Sequence, residues 1–238
     1  MSESVPRELA PFGGRWPIVL PHWERRMWSA VQNKQLWKEH LPELLDLYEW
    51  YPNVVQRSDA SRLAYMHVFG GVYADLDVAP CNSISATMEK LIRGRRQLAL
   101  VREAKQQGPG GGTSKRVSNF FLASAKGHPF WRYALGLLRS RASLDVMTSS
   151  GPFFVNFAWR SYLTASARMG CEQAVREGAL LFSYGSWQRE VGAQCVLPAG
   201  YLPASNVPSF LPLSQPPLIV CHQSCLASSI HLYDYTCA

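Results

Sequence analysis

The sequence predicts a single-domain α/β sandwich with a largely parallel sheet, and three observations carry that prediction. Short apolar runs of strand type, Val72-Tyr73-Ala74, Leu98 to Val101 and Ser118 to Ala123, are separated by longer stretches of helical period. A chain of 238 residues is long enough for one sizeable core without staples. Hydrophobic residues make up 47% and charged residues 17%, and eight Trp with ten Tyr supply large packing groups, so the chain reads as globular.

Residues 1 to 20, rich in Pro and Gly and without period, read as an irregular lead-in, and residues 21 to 238 as the folded domain. From Ser29 to Trp50 the spacing of Val31, Leu36, Trp37, Leu41, Leu44, Leu45 and Tyr48 predicts helix, with Pro42 dividing it into two. After the turn at Tyr51-Pro52-Asn53, Ser58 is the expected cap of a helix running to Phe69, which Gly70-Gly71 ends. A glycine-rich loop, Gly108 to Gly112, joins two of the predicted strands and lacks the Gly-Lys-Ser/Thr of a phosphate-binding loop. Helices are expected over Pro129 to Arg141 and Pro152 to Met169, each opened by its proline, with strands and loops beyond.

The net charge of +7 is scattered rather than gathered into a basic stripe, and no zinc-finger or RNA-binding signature is present, so nucleic acid is not an expected partner. A mild positive field suits an anionic nucleotide or an anionic membrane surface. No apolar run approaches the length of a transmembrane helix and no signal-peptide core is present, so the expectation is a soluble chain for which membrane association is left open. Six cysteines are too sparse for a disulfide-dense scaffold. Cys221, His222, Cys225, His231 and Cys237 have zinc-ligand chemistry at a spacing that is a weak signal.

The chemistry centres on Asp75 and Asp77. Two carboxylates two residues apart at a strand end can reach one divalent cation, and hard oxygen donors suit Mg²⁺ or Mn²⁺ completed by water and substrate phosphate. An isolated D-x-D is common, and the surroundings raise its weight: Asp59 and Arg62 stand one helical turn apart ahead of Gly70-Gly71-Val72-Tyr73-Ala74-Asp75-Leu76-Asp77. The plain alternative for Asp59 and Arg62 is a surface ion pair worth about 0.2–0.5 kcal/mol.

This pattern resembles the DXD-containing sugar-binding-region glycosyltransferases, which include fungal Golgi mannosyltransferases and mannosyl-inositol-phosphoceramide synthases. The likeness extends over roughly residues 21 to 160, through Pro21 to Ser29, Asn119 to Ser124, Gly127-His128-Pro129-Phe130-Trp131 and Ser150-Gly151-Pro152. It implies a GT-A-like nucleotide-sugar-binding fold and metal-dependent transfer of a hexose from a nucleoside diphosphate sugar to a glycan or glycolipid hydroxyl, with retained configuration. The site lies in the Golgi or ER lumen in the family. By position, Asp59 and Arg62 would contact the sugar and the ribose or diphosphate, Asp75 the ribose and metal, and Asp77 the metal. His222 stands where the family carries a late His that could complete the metal shell. With Arg62 serving the donor, its replacement is expected to change the melting temperature little.

The family's first strand and helix have no counterpart before Pro21, which predicts bare backbone on the sheet and an incomplete base pocket. That gap sustains an alternative: a catalytically inactive carbohydrate-binding or scaffold protein. A phosphotransferase with Asp75 as nucleophile is disfavoured, since Gly70-Gly71 shortens the preceding strand and Ala79 holds the position where that class needs Thr.

Overall fold

The computed structural model describes residues 10–82, 84–93, 97–103, 116–183, 186, 192–194 and 230–233. The elements in chain order are α1 (Ala10–Val19), β1 (Glu24–Met27), α2 (Ala30–His40), a 3₁₀ turn (Pro42–Leu44), α3 (Leu45–Trp50), α4 (Val54–Val68), β2 (Gly71–Ala74), β3 (Val78–Pro80), α5 (Ile84–Arg93), β4 (Leu98–Arg102) and β5 (Val117–Ser124). There follow α6 (Pro129–Leu138), a second 3₁₀ turn (Arg139–Arg141), α7 (Val146–Ser149), α8 (Pro152–Arg168), α9 (Glu172–Glu177), β6 (Ala179–Phe182), β7 (Gly192–Gln194) and β8 (Ile230–Tyr233).

Alternation along the strands sends side chains to two cores. Tyr73, Leu98, Leu100 and Leu122 face the layer formed by α2, α3, α4, α6 and α8. Val72, Ala74, Ala99, Val101, Phe121 and Ala123 face Trp16, Ile84 and Met88 of α1 and α5. Period-two patterning therefore produces three layers, helices on either side of a sheet. The α/β sandwich stands.

The strand directions do not match a largely parallel sheet. The main sheet runs β1-β8-β2-β5-β4-β6. The pairs β1–β8, β8–β2, β2–β5 and β5–β4 are antiparallel, and β4–β6 is the parallel one. The reason is that the apolar strand-type runs carry no sign of direction, and β5 registers antiparallel on both β2 and β4.

β8 holds the position between β1 and β2. Tyr73 and Arg26 both register opposite His231, so the backbone groups on that side are paired. The lead-in is also more regular than expected. α1 contains Pro17, which has no amide proton for the Gly13 carbonyl, and Arg25 Nη1 donates to that oxygen instead at 2.8 Å. Trp16 is buried and its indole N–H donates to Val78 O at 3.0 Å, so tertiary burial outweighs a poor local helix signal.

The prediction of two helices parted at Pro42 holds. Ser29 begins the first with a reciprocal capping box to Gln32. α4 starts at Val54, four residues before Ser58. Asn53 is its cap, Oδ1 accepting from Val55 N at 2.9 Å, and Ser58 lies inside the helix. α4 ends where Gly70 turns into φ +72°; a Cβ there would lie 2.4 Å from Lys126 N, so both dihedral and space demand glycine. The glycine-rich loop of residues 108–112, and Cys221, His222, Cys225 and Cys237, lie outside the described residues.

Candidate active site

α4 aims Asp59 and Arg62 from one buried face toward the end of β2, where the chain leaves the sheet at Asp75. Asp75 N still donates to Phe120 O at 2.9 Å. Val78 N then donates to Asp75 O at 3.0 Å, forming the tight turn that carries Asp77. The acidic pair thus sits at the end of a strand, as the spacing predicts.

Arg62 binds the site together. Nη2 lies 2.8 Å from Asp59 Oδ1 and Nη1 3.1 Å from Asp75 Oδ1. Nη1 also donates to the Asn119 carbonyl at 2.7 Å. The guanidinium stacks over the Tyr73 ring at 4.7 Å, and the Tyr73 hydroxyl donates to Asp75 Oδ1 at 2.6 Å. Asn119 Nδ2 donates to Asp59 Oδ1 at 3.0 Å. Asp59 and Arg62 are 0% and 6% exposed, so this is no surface ion pair. A carboxylate and a guanidinium survive such burial because each is paired and hydrogen-bonded.

Burial and crowding move the protonation equilibria. Burial raises Asp59 to about 6 against the pull of Arg62, with Asp75 pushing the same way. Burial raises Asp77 to about 7, and the Asp75 charge adds to it. Asp75 is raised by burial, with Arg62 and the Tyr73 hydroxyl opposing. Burial alone would lower Arg62, but Asp75, Tyr73 and Asp59 hold it above its ordinary value.

Two atoms of this network are enclosed without a partner, Asp59 Oδ2 and Arg62 Nε, one an acceptor and one a donor. Tyr51 Oη and Ser150 Oγ share that condition nearby. Tyr51 lies close enough to Asp59 for the carboxylate to add to burial in raising its phenol. Ser150 follows Ser149, whose Oγ accepts from Gln56 Nε2 at 2.8 Å, one turn before Asp59. Buried polar atoms without partners are rare in a native fold, and four fall in this one region.

The structure brings Asp59, Arg62, Asp75 and Asp77 together, and His222 lies outside the described residues. Among the described residues no three His, Cys, Asp or Glu side chains gather as a metal cage. The donor chemistry of Asp75 and Asp77 nonetheless fits a divalent cation whose other ligands are water and phosphate, since a cation would favour the ionised form that burial now disfavours. Asn119 is buried in mid-strand and joins the network. Tyr73 belongs to the core, as expected, and braces Asp75 as well. Tyr51 and Ser150 were not singled out as site residues, because a lone Tyr in a turn and a Ser before Gly-Pro carry no chemical pattern in sequence.

Residues 15–96 match the model of the family described as "Glycosyltransferase sugar-binding region containing DXD motif". Inositol phosphoceramide mannosyltransferase 3 of Schizosaccharomyces pombe is 30% identical over 148 residues, 60% of this chain and 37% of that protein. Mannosyl phosphorylinositol ceramide synthase SUR1 of Saccharomyces cerevisiae is 28% identical over 148 residues, 60% of this chain and 35% of its own. The chain spans about a third of the length of these curated relatives. Among solved structures, the PaToxG glycosyltransferase aligns with a TM-score of 0.44 and 14% identity over 74% of each chain. Residues 15–96, which hold Asp59, Arg62, Asp75 and Asp77, are thus similar to the glycosyltransferase sugar-binding regions containing a DXD motif.

Proposed function

We propose that this chain transfers a hexose from a nucleoside diphosphate sugar to an acceptor hydroxyl on a glycan or glycolipid, with retained configuration. The observation that carries the reading is the enclosed Asp59–Arg62–Asp75–Asn119 network, with its unpartnered carboxylate oxygen and guanidinium N–H, set beside the acidic pair. Asp59 would accept from sugar hydroxyls through Oδ2. Arg62 would offer Nε to the donor while its other nitrogens hold the two carboxylates in place. Asp75, fixed by Tyr73 and Arg62, and Asp77 would hold Mn²⁺ or Mg²⁺, with His222 as a third ligand. The cation, when bound, supplies charge neutralisation on the leaving diphosphate. Fixed groups of this kind act in a water-poor site without reorganising during reaction. The relatives named for inositol phosphoceramide support a lipid-linked acceptor as the first to examine.

A second reading, donor binding without turnover, is favoured by one feature: both Nη atoms of Arg62 are already engaged by protein oxygens. A panel of nucleoside diphosphate sugars, with and without Mn²⁺, separates the readings. Thermal protection by one sugar nucleotide with release of its nucleoside diphosphate supports transfer, and protection with no release supports binding alone.

A further inference from the structure

Outside the site, α8 carries an unusual outward face. Phe153, Phe157, Arg160, Thr164 and Arg168 recur at intervals of three and four and so form one stripe along the helix. The flanking segments add cations over the aromatic members. The Arg116 guanidinium lies 4.6 Å from the Phe153 ring centroid, and that of Arg141 4.2 Å from the Phe157 ring. Arg116 is also paired with Glu103, and Arg141 donates to Thr148 O. Arg160 and Arg168 have no acidic partner within ion-pair distance among the described residues.

Acid is absent from this stretch. Residues 146–171 contain no Asp or Glu, whereas the arginines on neighbouring surfaces are mostly neutralised, Arg132 by Glu43, Arg139 by Asp46 and Arg176 by Glu172. A groove of about 470 Å³ runs along the stripe, lined by Tyr133, Asn156, Phe157, Arg160, Thr164 and Arg168. Exposed apolar groups flank it along α8, Phe153 one turn before Phe157 at 36% exposure and Met169 next to Arg168 at 69%. A helix face that combines uncompensated arginines with aromatic and aliphatic side chains has the chemistry of a surface that lies on anionic lipid.

We propose that the α8 face docks the protein on an anionic phospholipid bilayer, with Arg160 and Arg168 among the headgroups and Phe153 and Met169 at the boundary of the acyl region. The placement relates to the site. Asn156 Oδ1 accepts from Val117 N at 3.1 Å, tying the head of α8 to the start of β5, two residues before Asn119. The docked face therefore borders the Asp59–Asn119 network. The inference stands on charge and exposure, and does not depend on which reaction the site performs.

Co-sedimentation with phosphatidylcholine vesicles, with and without phosphatidylserine, at about 0.1 M salt tests it. The wild-type chain should partition at least tenfold more strongly to the vesicles that contain phosphatidylserine. Each arginine near such a surface is worth about 1 kcal/mol, or about fivefold in partitioning, so Arg160→Gln with Arg168→Gln should remove most of that preference. Arg160→Gln alone should remove about fivefold, and it serves if the double variant folds poorly. A charge-matched pair on α2, Lys34→Gln with Lys38→Gln, should change partitioning much less. Equal losses in the α2 and α8 pairs overturn the proposal, because the effect is then one of net charge. So do equal binding to both vesicle types and no binding to either.

Discussion

Arg62 Nη1 reaches Asp75 Oδ1 at 3.1 Å while Nη2 of the same guanidinium holds Asp59 Oδ1 at 2.8 Å, so one cation joins the middle of α4 to the end of β2. Its burial reverses the expectation that replacing it would leave stability little changed. Arg62→Ala leaves the enclosed Asp59 and the partly buried Asp75 without their counter-charge, which should cost roughly 3–5 kcal/mol. Urea unfolding of wild type and variant checks this. An unchanged midpoint would mean that the carboxylates take up protons or water at no cost.

Asp77 gives the folded chain a pH signature. Its folded pKa, about 7, lies above the ordinary 3.8, so the folded state holds this proton more tightly than the unfolded state. Stability from this group is therefore fully present below about 4 and declines as pH rises toward 7. Asp77→Asn removes the dependence. Its melting temperature relative to wild type should climb between pH 4 and 7 and then level off. A difference that stays constant across that window would show that Asp77 is not held away from its ionised form.

Asn119→Ala removes one donor to Asp59 and should destabilise by about 1–3 kcal/mol, measured by denaturant titration. Tyr51→Phe removes a hydroxyl that has no partner in the fold, and its melting temperature should stay within the error of the wild type. A drop for Tyr51→Phe as large as that for Asn119→Ala would show that the phenol has a structural bond.

Gly70→Ala should cost about 1–3 kcal/mol or more, since φ is +72° and the new Cβ would meet Lys126 N at 2.4 Å. Thermal unfolding that moves by less than a degree would show that the α4–β2 turn has freedom to relax.

Much of this was legible in the sequence for identifiable reasons. The short apolar runs Val72-Tyr73-Ala74 and Leu98 to Val101, and the helical period around Leu36-Trp37, pass directly into the two cores. The D-x-D spacing, with Asp59 and Arg62 one turn apart, brings four of the five candidate residues into one place. Strand direction was not legible, because Phe121 and Leu122 read alike in either orientation. The start of α4 was misplaced because Asn53 and Ser58 are both good caps, and the buried face beginning at Gln56 decided between them. α1 was hidden by Pro17 and two glycines, whose local cost is offset by Trp16 in the core and by Arg25 on the Gly13 carbonyl.

The central claim is that Asp75 and Asp77 bind a sugar nucleotide through a divalent cation, and calorimetric titration of wild type and Asp77→Ala with nucleoside diphosphate sugars, with and without Mn²⁺, tests it most directly. The account predicts that wild type binds at least one of them only with Mn²⁺ present, and that Asp77→Ala, while folded, loses at least tenfold in affinity, or about 1.4 kcal/mol. Equal affinities for the two proteins, or binding indifferent to the cation, would contradict it.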